Sequence, residues 1–108
     1  MAAWTYILRC ADGSYYVGCT TALDQRIGQH MAGQLPGYTS TRRPVELVWA
    51  EESQTIHAAI LNERRIKGWS RAKKEALIRR DWDALQQLAK RRGGRASFET
   101  PADAGSSG

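Results

Sequence analysis

No long apolar run occurs in the 108 residues, which excludes a membrane-crossing helix, since that needs about 20 apolar residues in succession. Cysteine and histidine are just as scarce. Cys10, Cys19, His30 and His57 are all there are, and they do not repeat at zinc-ligand spacing, so a zinc site is excluded. The opening MAAWTYILRC has no basic segment ahead of an apolar one, so no secretory leader is expected. The expected location is cytoplasmic, with both cysteines as reduced core or edge thiols. There is no internal repeat.

What is abundant is positive charge. Sixteen Lys and Arg against eleven Asp and Glu give a net charge of +5. Only Arg9, Arg26, Arg42 and Arg43 precede position 64. Residues 64–80 alone hold Arg64, Arg65, Lys67, Arg71, Lys73, Lys74, Arg79 and Arg80 against the single acid Glu75. Such a stripe suits a phosphate backbone, although a solvated helix face has the same composition.

The hydropathy pattern predicts small elements. Trp4 to Cys10 is aromatic and β-branched, Asp12-Gly13 marks a tight turn, and Tyr15 to Cys19 returns, so the chain should open as a β-hairpin. Gly18 inside a strand suggests a bulge or a close backbone approach. Thr21 with Asp24 predicts a capped helix from about Ala22, with Leu23, Ile27 and Met31 as its apolar stripe and Gly33 as its stop. Residues 34–43 form a loop, and Pro44 to Ala50 a third strand with Val45, Leu47 and Trp49 alternating inward. Thr55 to Gly68 predicts a second helix, with Ile56, Ala59, Ile60, Glu63 and Lys67 on one side. Ser70 caps a third helix over Arg71 to Arg80, and Asp81 a short last one in which Trp82, Leu85, Leu88 and Ala89 pack. The expected fold class is α/β, a three-stranded antiparallel sheet in the order β-β-α-β-α-α flanked by helices. The domain should cover residues 1–92, with a helical extension from about position 81. The polar residues 93–108 should form a disordered tail.

Three groups of residues invite chemistry. Tyr6 and Tyr16 fall at matching depth in the hairpin arms and should lie roughly opposite each other. Arg26 and His30 are one turn apart, so they can bind a phosphate oxygen and relay a proton; an exposed helix edge is the plainer alternative. Glu63 lies on an apolar face, where an ionised carboxylate requires a salt bridge or a cation.

Taken in order, these groups resemble the GIY-YIG nuclease superfamily. Thr5-Tyr6-Ile7 and Tyr16-Val17-Gly18 look like its paired signature, Arg26 and His30 like its R-x-x-x-H helix, and Glu63 in the stretch Asn62 to Arg71 like its metal ligand. Gly37 to Val45 is similar to the short stand-alone bacterial branch, the UPF0213 or YhbQ-like proteins. The resemblance implies hydrolysis of phosphodiester bonds in DNA. Tyr16 would be the general base or water-positioning phenol, and Tyr6 would orient the water. Arg26 would steady the phosphate charge, His30 would assist, and Glu63 would hold one Mg²⁺ or Mn²⁺. Tyr38, Arg42 and Arg43 of the loop, with Lys67, Arg71, Lys73 and Lys74, would contact nucleic acid. No obligate protein partner is evident. Two departures stand out. Cys19 occupies a position where some relatives carry lysine, and the only asparagine, Asn62, is beside Glu63 rather than downstream of it. A nucleic-acid-binding module without turnover is the second reading, and a small protein-docking domain the third.

Overall fold

The computed structural model describes residues 2–96, and its side chains through residue 89. Seven elements follow in order: β1 (Ala3–Arg9), β2 (Tyr15–Thr20), α1 (Leu23–Ala32), β3 (Glu46–Ser53), α2 (Ile56–Lys67), α3 (Arg71–Ile78) and α4 (Trp82–Ala96). The strands form one antiparallel sheet in the order β2-β1-β3, as the sequence predicts. The chain divides into two compact units between Glu63 and Arg64.

In the first unit the hairpin turn is held by Asp12. Its carboxylate accepts the Ser14 amide at 3.0 Å and the Ser14 hydroxyl at 2.6 Å, and Gly13 takes a φ of 86°. Alternate residues of β1 then commit to opposite faces. Thr5 donates to the carbonyl of Ala59 in α2 at 3.0 Å, while Tyr6 meets His30 of α1 at 2.9 Å. The sheet therefore carries α1 on one face and the first part of α2 on the other. The α1 face buries Tyr6, Leu8, Cys10, Ile27 and Val45, with Tyr16, Leu23 and Ala50 packed against them.

Several expectations need correction. Tyr6 is cross-strand from Gly18, and Tyr16 from Leu8, so the tyrosines are diagonal rather than opposite. The cysteines agree with expectation: neither Cys10 nor Cys19 is in a disulfide, and Cys19 lies across the hairpin from Thr5, at the other end from Cys10. No side chain hydrogen-bonds as the cap of α1; instead the Thr20 hydroxyl accepts the Ala22 amide at 3.0 Å. On α1 His30 is buried and Met31 is half exposed. Seven residues from Leu23 return to nearly the same side of a 3.6-residue helix and eight overshoot, so the seventh position takes the core. In β3 a register shift between Ile7 and Leu8 sets Trp49 opposite Ile7 and Leu47 opposite Leu8. Val48 is the extra residue of this bulge, which sends Trp49 to the α2 face and leaves Leu47 exposed.

Helix α2 starts as expected, with the Thr55 hydroxyl accepting the Ala58 amide at 3.1 Å. Its buried residue in the last turns is Ile66, while Lys67 is exposed. In the second unit the Ser70 hydroxyl caps α3 by accepting the Lys73 amide at 3.2 Å, and the Asp81 carboxylate caps α4 by accepting the Ala84 amide at 3.1 Å. Helix α3 stops at Ile78. Arg80 turns left-handed with φ 57°, and the amides of Arg80 and Asp81 close back on the carbonyls of Leu77 and Ala76. On α4, Trp82 and Ala89 are exposed, contrary to the packing expected of them. The helix continues through Gly93 and Gly94 to Ala96, and the remainder of the expected tail lies outside the described residues. No described helix is long and apolar enough to cross a membrane.

Candidate active site

Gly18 is the small residue on which the site is built. A Cβ added there would lie 2.5 Å from the Tyr6 hydroxyl oxygen and 3.2 Å from the Tyr16 ring. The absent side chain lets the Tyr6 ring lie across β2, so the glycine answers to a close approach rather than to backbone conformation. The Tyr6 and Tyr16 ring centroids are then 6.4 Å apart. His30 closes the triangle from α1, at 5.8 Å from Tyr6 and 5.2 Å from Tyr16.

Hydrogen bonds fix the imidazole at both nitrogens. Nε2 meets the Tyr6 hydroxyl at 2.9 Å, and Nδ1 meets the Thr39 hydroxyl at 2.8 Å. Tyr6 is wholly buried, and His30 and Thr39 nearly so. Burial lowers the His30 pKa, and the nearby Arg26 charge lowers it further. Burial raises Tyr6 to about 12, and Tyr16 adds to the rise, while the nearby Arg26 charge opposes it. At neutral pH the centre is therefore a protonated phenol against a neutral imidazole beside a fixed guanidinium.

The loop after α1 continues the aromatic row. The exposed Tyr38 stacks on Tyr16 with centroids 6.2 Å apart, and the Arg42 guanidinium lies 3.8 Å from the Tyr38 centroid. Arg42 also donates to Asp12 at 3.1 Å and to the Tyr38 carbonyl at 2.9 Å, and its own carbonyl accepts the Ala11 amide at 2.9 Å. The loop is thereby fastened to the hairpin turn. The hydrogen bonds from Ser14 first, and the Arg42 contact after them, hold the Asp12 carboxyl below its ordinary range. Arg43, exposed, lies against Gly33 at the end of α1.

Glu63 is part-buried near the end of the first unit. Its Oε1 accepts the Cys19 thiol at 3.3 Å. Cys19 neighbours Gly18 and so points to the opposite face from it, which makes the carboxylate approach β2 from the α2 side of the sheet. Among the described residues no three or more His, Cys, Asp or Glu gather as a metal cage. A lone carboxylate still fits Mg²⁺ or Mn²⁺, hard ions that complete their shells with water and phosphate oxygens. Zinc, which takes nitrogen and sulfur cages, is not suited to it.

The structure thus gathers Tyr6, Tyr16, Arg26, His30, Tyr38 and Arg42, but not Glu63, which meets Cys19 from the α2 side of β2. The remaining candidates belong to the second unit. Lys67 is exposed at the end of α2, Arg71 pairs with Glu75 at 3.2 Å, Lys73 lies 4.4 Å from the Trp69 centroid, and burial first, then Arg71, lowers the Lys74 pKa. Sequence reasoning put Thr39 in a loop that could reach the substrate but gave it no place against His30, because a hydroxyl in a loop carries no periodic signal. It read Cys19 as a reduced thiol and as a missing lysine, although its alternation with Gly18 would have given its face.

The similarity to known proteins agrees with this geometry. The GIY-YIG catalytic domain matches residues 2–76. A UPF0213 protein of Natronomonas pharaonis is 45% identical over 75 residues, which cover 69% of this chain and 88% of the relative. A UPF0213 protein of Bacillus pumilus is 45% identical over 73 residues, covering 68% and 74% respectively. The solution NMR structure of a UPF0213 protein from Bacillus halodurans superposes with a TM-score of 0.50 at 37% identity, over 83% of this chain and 96% of that one. Such relatives occur in archaea as well as bacteria, which widens the bacterial branch that the loop motif suggests. With a tyrosine pair folded over Gly18 and a match spanning residues 2–76, the chain belongs to the GIY-YIG family, among its UPF0213 proteins.

Proposed function

We propose that the chain is a divalent-metal-dependent endonuclease that hydrolyses phosphodiester bonds in DNA. The observation that carries this reading is the cluster of Tyr6, Tyr16 and His30, with ring centroids no more than 6.4 Å apart and the Arg26 charge nearby. Phosphoryl transfer needs positioning and charge neutralisation more than covalent chemistry, and these groups supply both. Tyr16 is the partly exposed phenol, so it meets the attacking water and positions it or takes its proton. The buried Tyr6 supports that water from behind through its oxygen. Arg26 balances the negative charge that grows on the phosphate. His30 is neutral at working pH and holds the Tyr6 proton. Glu63 would hold the Mg²⁺ or Mn²⁺ ion, which when bound supplies positive charge at the leaving oxygen. Tyr38 offers a ring face to a base, and Arg43, Lys67, Arg71, Lys73 and Lys74 offer charge to the backbone. Arg42 acts chiefly by holding Tyr38 in place. Residues 1–92 act together as the functional domain, in the cytoplasm.

A cleavage assay on single-stranded, branched and nicked DNA, with Mn²⁺ and with EDTA, tests the reading. Metal-dependent cleavage that Glu63→Gln and Tyr16→Phe abolish is the expected result. Cleavage that ignores EDTA or survives both substitutions overturns it. A second reading rests on Cys19, which stands where some family members carry a lysine and whose thiol donates to one oxygen of the Glu63 carboxylate. It makes the chain a binding module without turnover, with salt-sensitive nucleic-acid binding and no cleavage. Robust metal-dependent nicking excludes it.

A further inference from the structure

The Tyr6–His30–Thr39 chain of hydrogen bonds contains one proton arrangement that its partners dictate. Tyr6 is fully buried, so its hydroxyl hydrogen needs an acceptor. Its one described hydrogen-bond partner is the His30 Nε2, at 2.9 Å, so Nε2 is the atom placed to accept. A neutral imidazole that accepts at Nε2 carries its hydrogen on Nδ1, and the atom 2.8 Å from Nδ1 is the Thr39 hydroxyl oxygen. Acidity agrees, since a phenol is a better donor than an alkyl alcohol, and an alcohol oxygen a better acceptor than a phenol oxygen.

We propose that Thr39 is a positioning residue, whose hydroxyl oxygen holds His30 in the Nδ1–H tautomer and so leaves Nε2 to accept the Tyr6 proton. The Tyr6 lone pairs are then left to the positive charge of the nearby Arg26. In the opposite tautomer Nε2–H would donate to the Tyr6 oxygen, and the buried Tyr6 hydrogen would have no acceptor among its described partners. Proton position at the site is therefore set from a loop nine residues beyond the histidine. The groups facing the imidazole are Tyr6 from β1, Tyr16 from β2, Arg26 from its own helix and Thr39 from the loop. Of these, only Thr39 meets Nδ1.

The catalytic consequence rests on the nuclease reading, but the tautomer does not. ¹⁵N-edited NMR of the full chain at neutral pH reads the two His30 ring nitrogens directly. The expected wild-type pattern is a protonated Nδ1 and a bare Nε2. Thr39→Val, which keeps the shape and removes the oxygen, should shift the population toward Nε2–H, and Thr39→Ser should restore it. In the cleavage assay Thr39→Val should lower kcat on the order of tenfold with KM unchanged, and Thr39→Ser should recover most of the loss. A wild-type His30 protonated at Nε2, or a tautomer ratio unmoved by Thr39→Val, overturns the proposal whether or not the chain cleaves DNA. The expected tautomer shift without any cleavage would uphold the positioning role and sink the nuclease reading instead.

Discussion

Up to Glu63 the chain carries six carboxylates, at Asp12, Asp24, Glu46, Glu51, Glu52 and Glu63, against four guanidinium groups; from Arg64 onward twelve bases face five acids. The first unit is thus slightly acidic and the second strongly basic. Every residue with a defined place in the candidate chemistry belongs to the first, held by buried hydrogen bonds and ring contacts. The basic candidates of the second are mostly at the surface, with exposed contacts such as Arg71 to Glu75. The difference teaches that positioning and attraction are separate tasks. Positioning requires desolvated groups with fixed partners. Attraction of a polyanion requires only summed charge, which tolerates loose side chains. Substitutions in the two units should therefore fail in different ways.

The largest expected effect is in the first unit. Glu63→Gln removes the carboxylate charge and keeps the shape, so metal-dependent kcat should fall by about 10²-fold or more. Affinity for DNA measured in EDTA should stay within about twofold of wild type. An equal loss of binding and turnover would break the separation, because Glu63 would then be supporting the binding surface too.

Next comes Gly18→Ala. The new methyl group would meet the Tyr6 hydroxyl oxygen at 2.5 Å, at the tip of a fully buried ring with no room to swing. Overpacking of this kind costs about 1–3 kcal/mol. Thermal unfolding should show the loss as a lowered Tm, and the aromatic resonances of Tyr6 and His30 should move. A Tm unchanged within error would mean that the ring is less tightly held than its contacts indicate.

How much of this was legible in the sequence divides along similar lines. The hairpin was, because Asp12-Gly13 between aromatic and β-branched runs admits few other folds. The helices from Thr55 and Ser70 were also legible, since a capping hydroxyl acts locally. Quantities fixed by pairing across the sheet were not. Tyr6 and Tyr16 would be opposite only for a turn centred on Ala11, whereas the Cys10–Ser14 turn centres on Asp12 and sets Tyr6 against Gly18. The Val48 bulge that reverses Trp49 has no local signature, since Val45, Leu47 and Trp49 alternate without fault on paper. The family motif supplied the identities of Tyr6, Tyr16, Arg26, His30 and Glu63 without their geometry. Thr39 needed the loop to close on α1 before its hydroxyl had a partner.

The third test addresses the basic unit. Replacing Arg71, Lys73 and Lys74 together by Gln removes three candidate phosphate contacts. Each contact on a duplex contributes about 0.9 to the slope of log affinity against log salt, so the slope should shrink by roughly 2 to 3. Affinity at moderate salt should weaken by about tenfold or more, and kcat at saturating DNA should hold. A fall in kcat alone would give these side chains a catalytic place that their surface setting does not suggest. An unchanged salt slope would remove them from the interface.

The smallest effect is a titration in the first unit. His30 is buried beside Arg26, and its folded pKa is depressed below the ordinary 6.5. The unfolded chain, with the ordinary pKa, takes up this proton first as pH falls. His30 therefore supports the fold fully above about 6.5 and loses that support as pH drops from there through the depressed folded value. One proton sets a ceiling of about 1.4 kcal/mol per pH unit on the slope. Unfolding free energy measured between pH 7.5 and 5 should decline for the wild type, and less steeply for His30→Gln, whose amide carries no titrating charge. If His30→Gln and wild type run parallel, the imidazole accepts its proton without disturbing Tyr6 or Thr39. The first unit would then be as tolerant of an added charge as the basic helices of the second, and the division between a positioned site and an attracting surface would have to be drawn elsewhere.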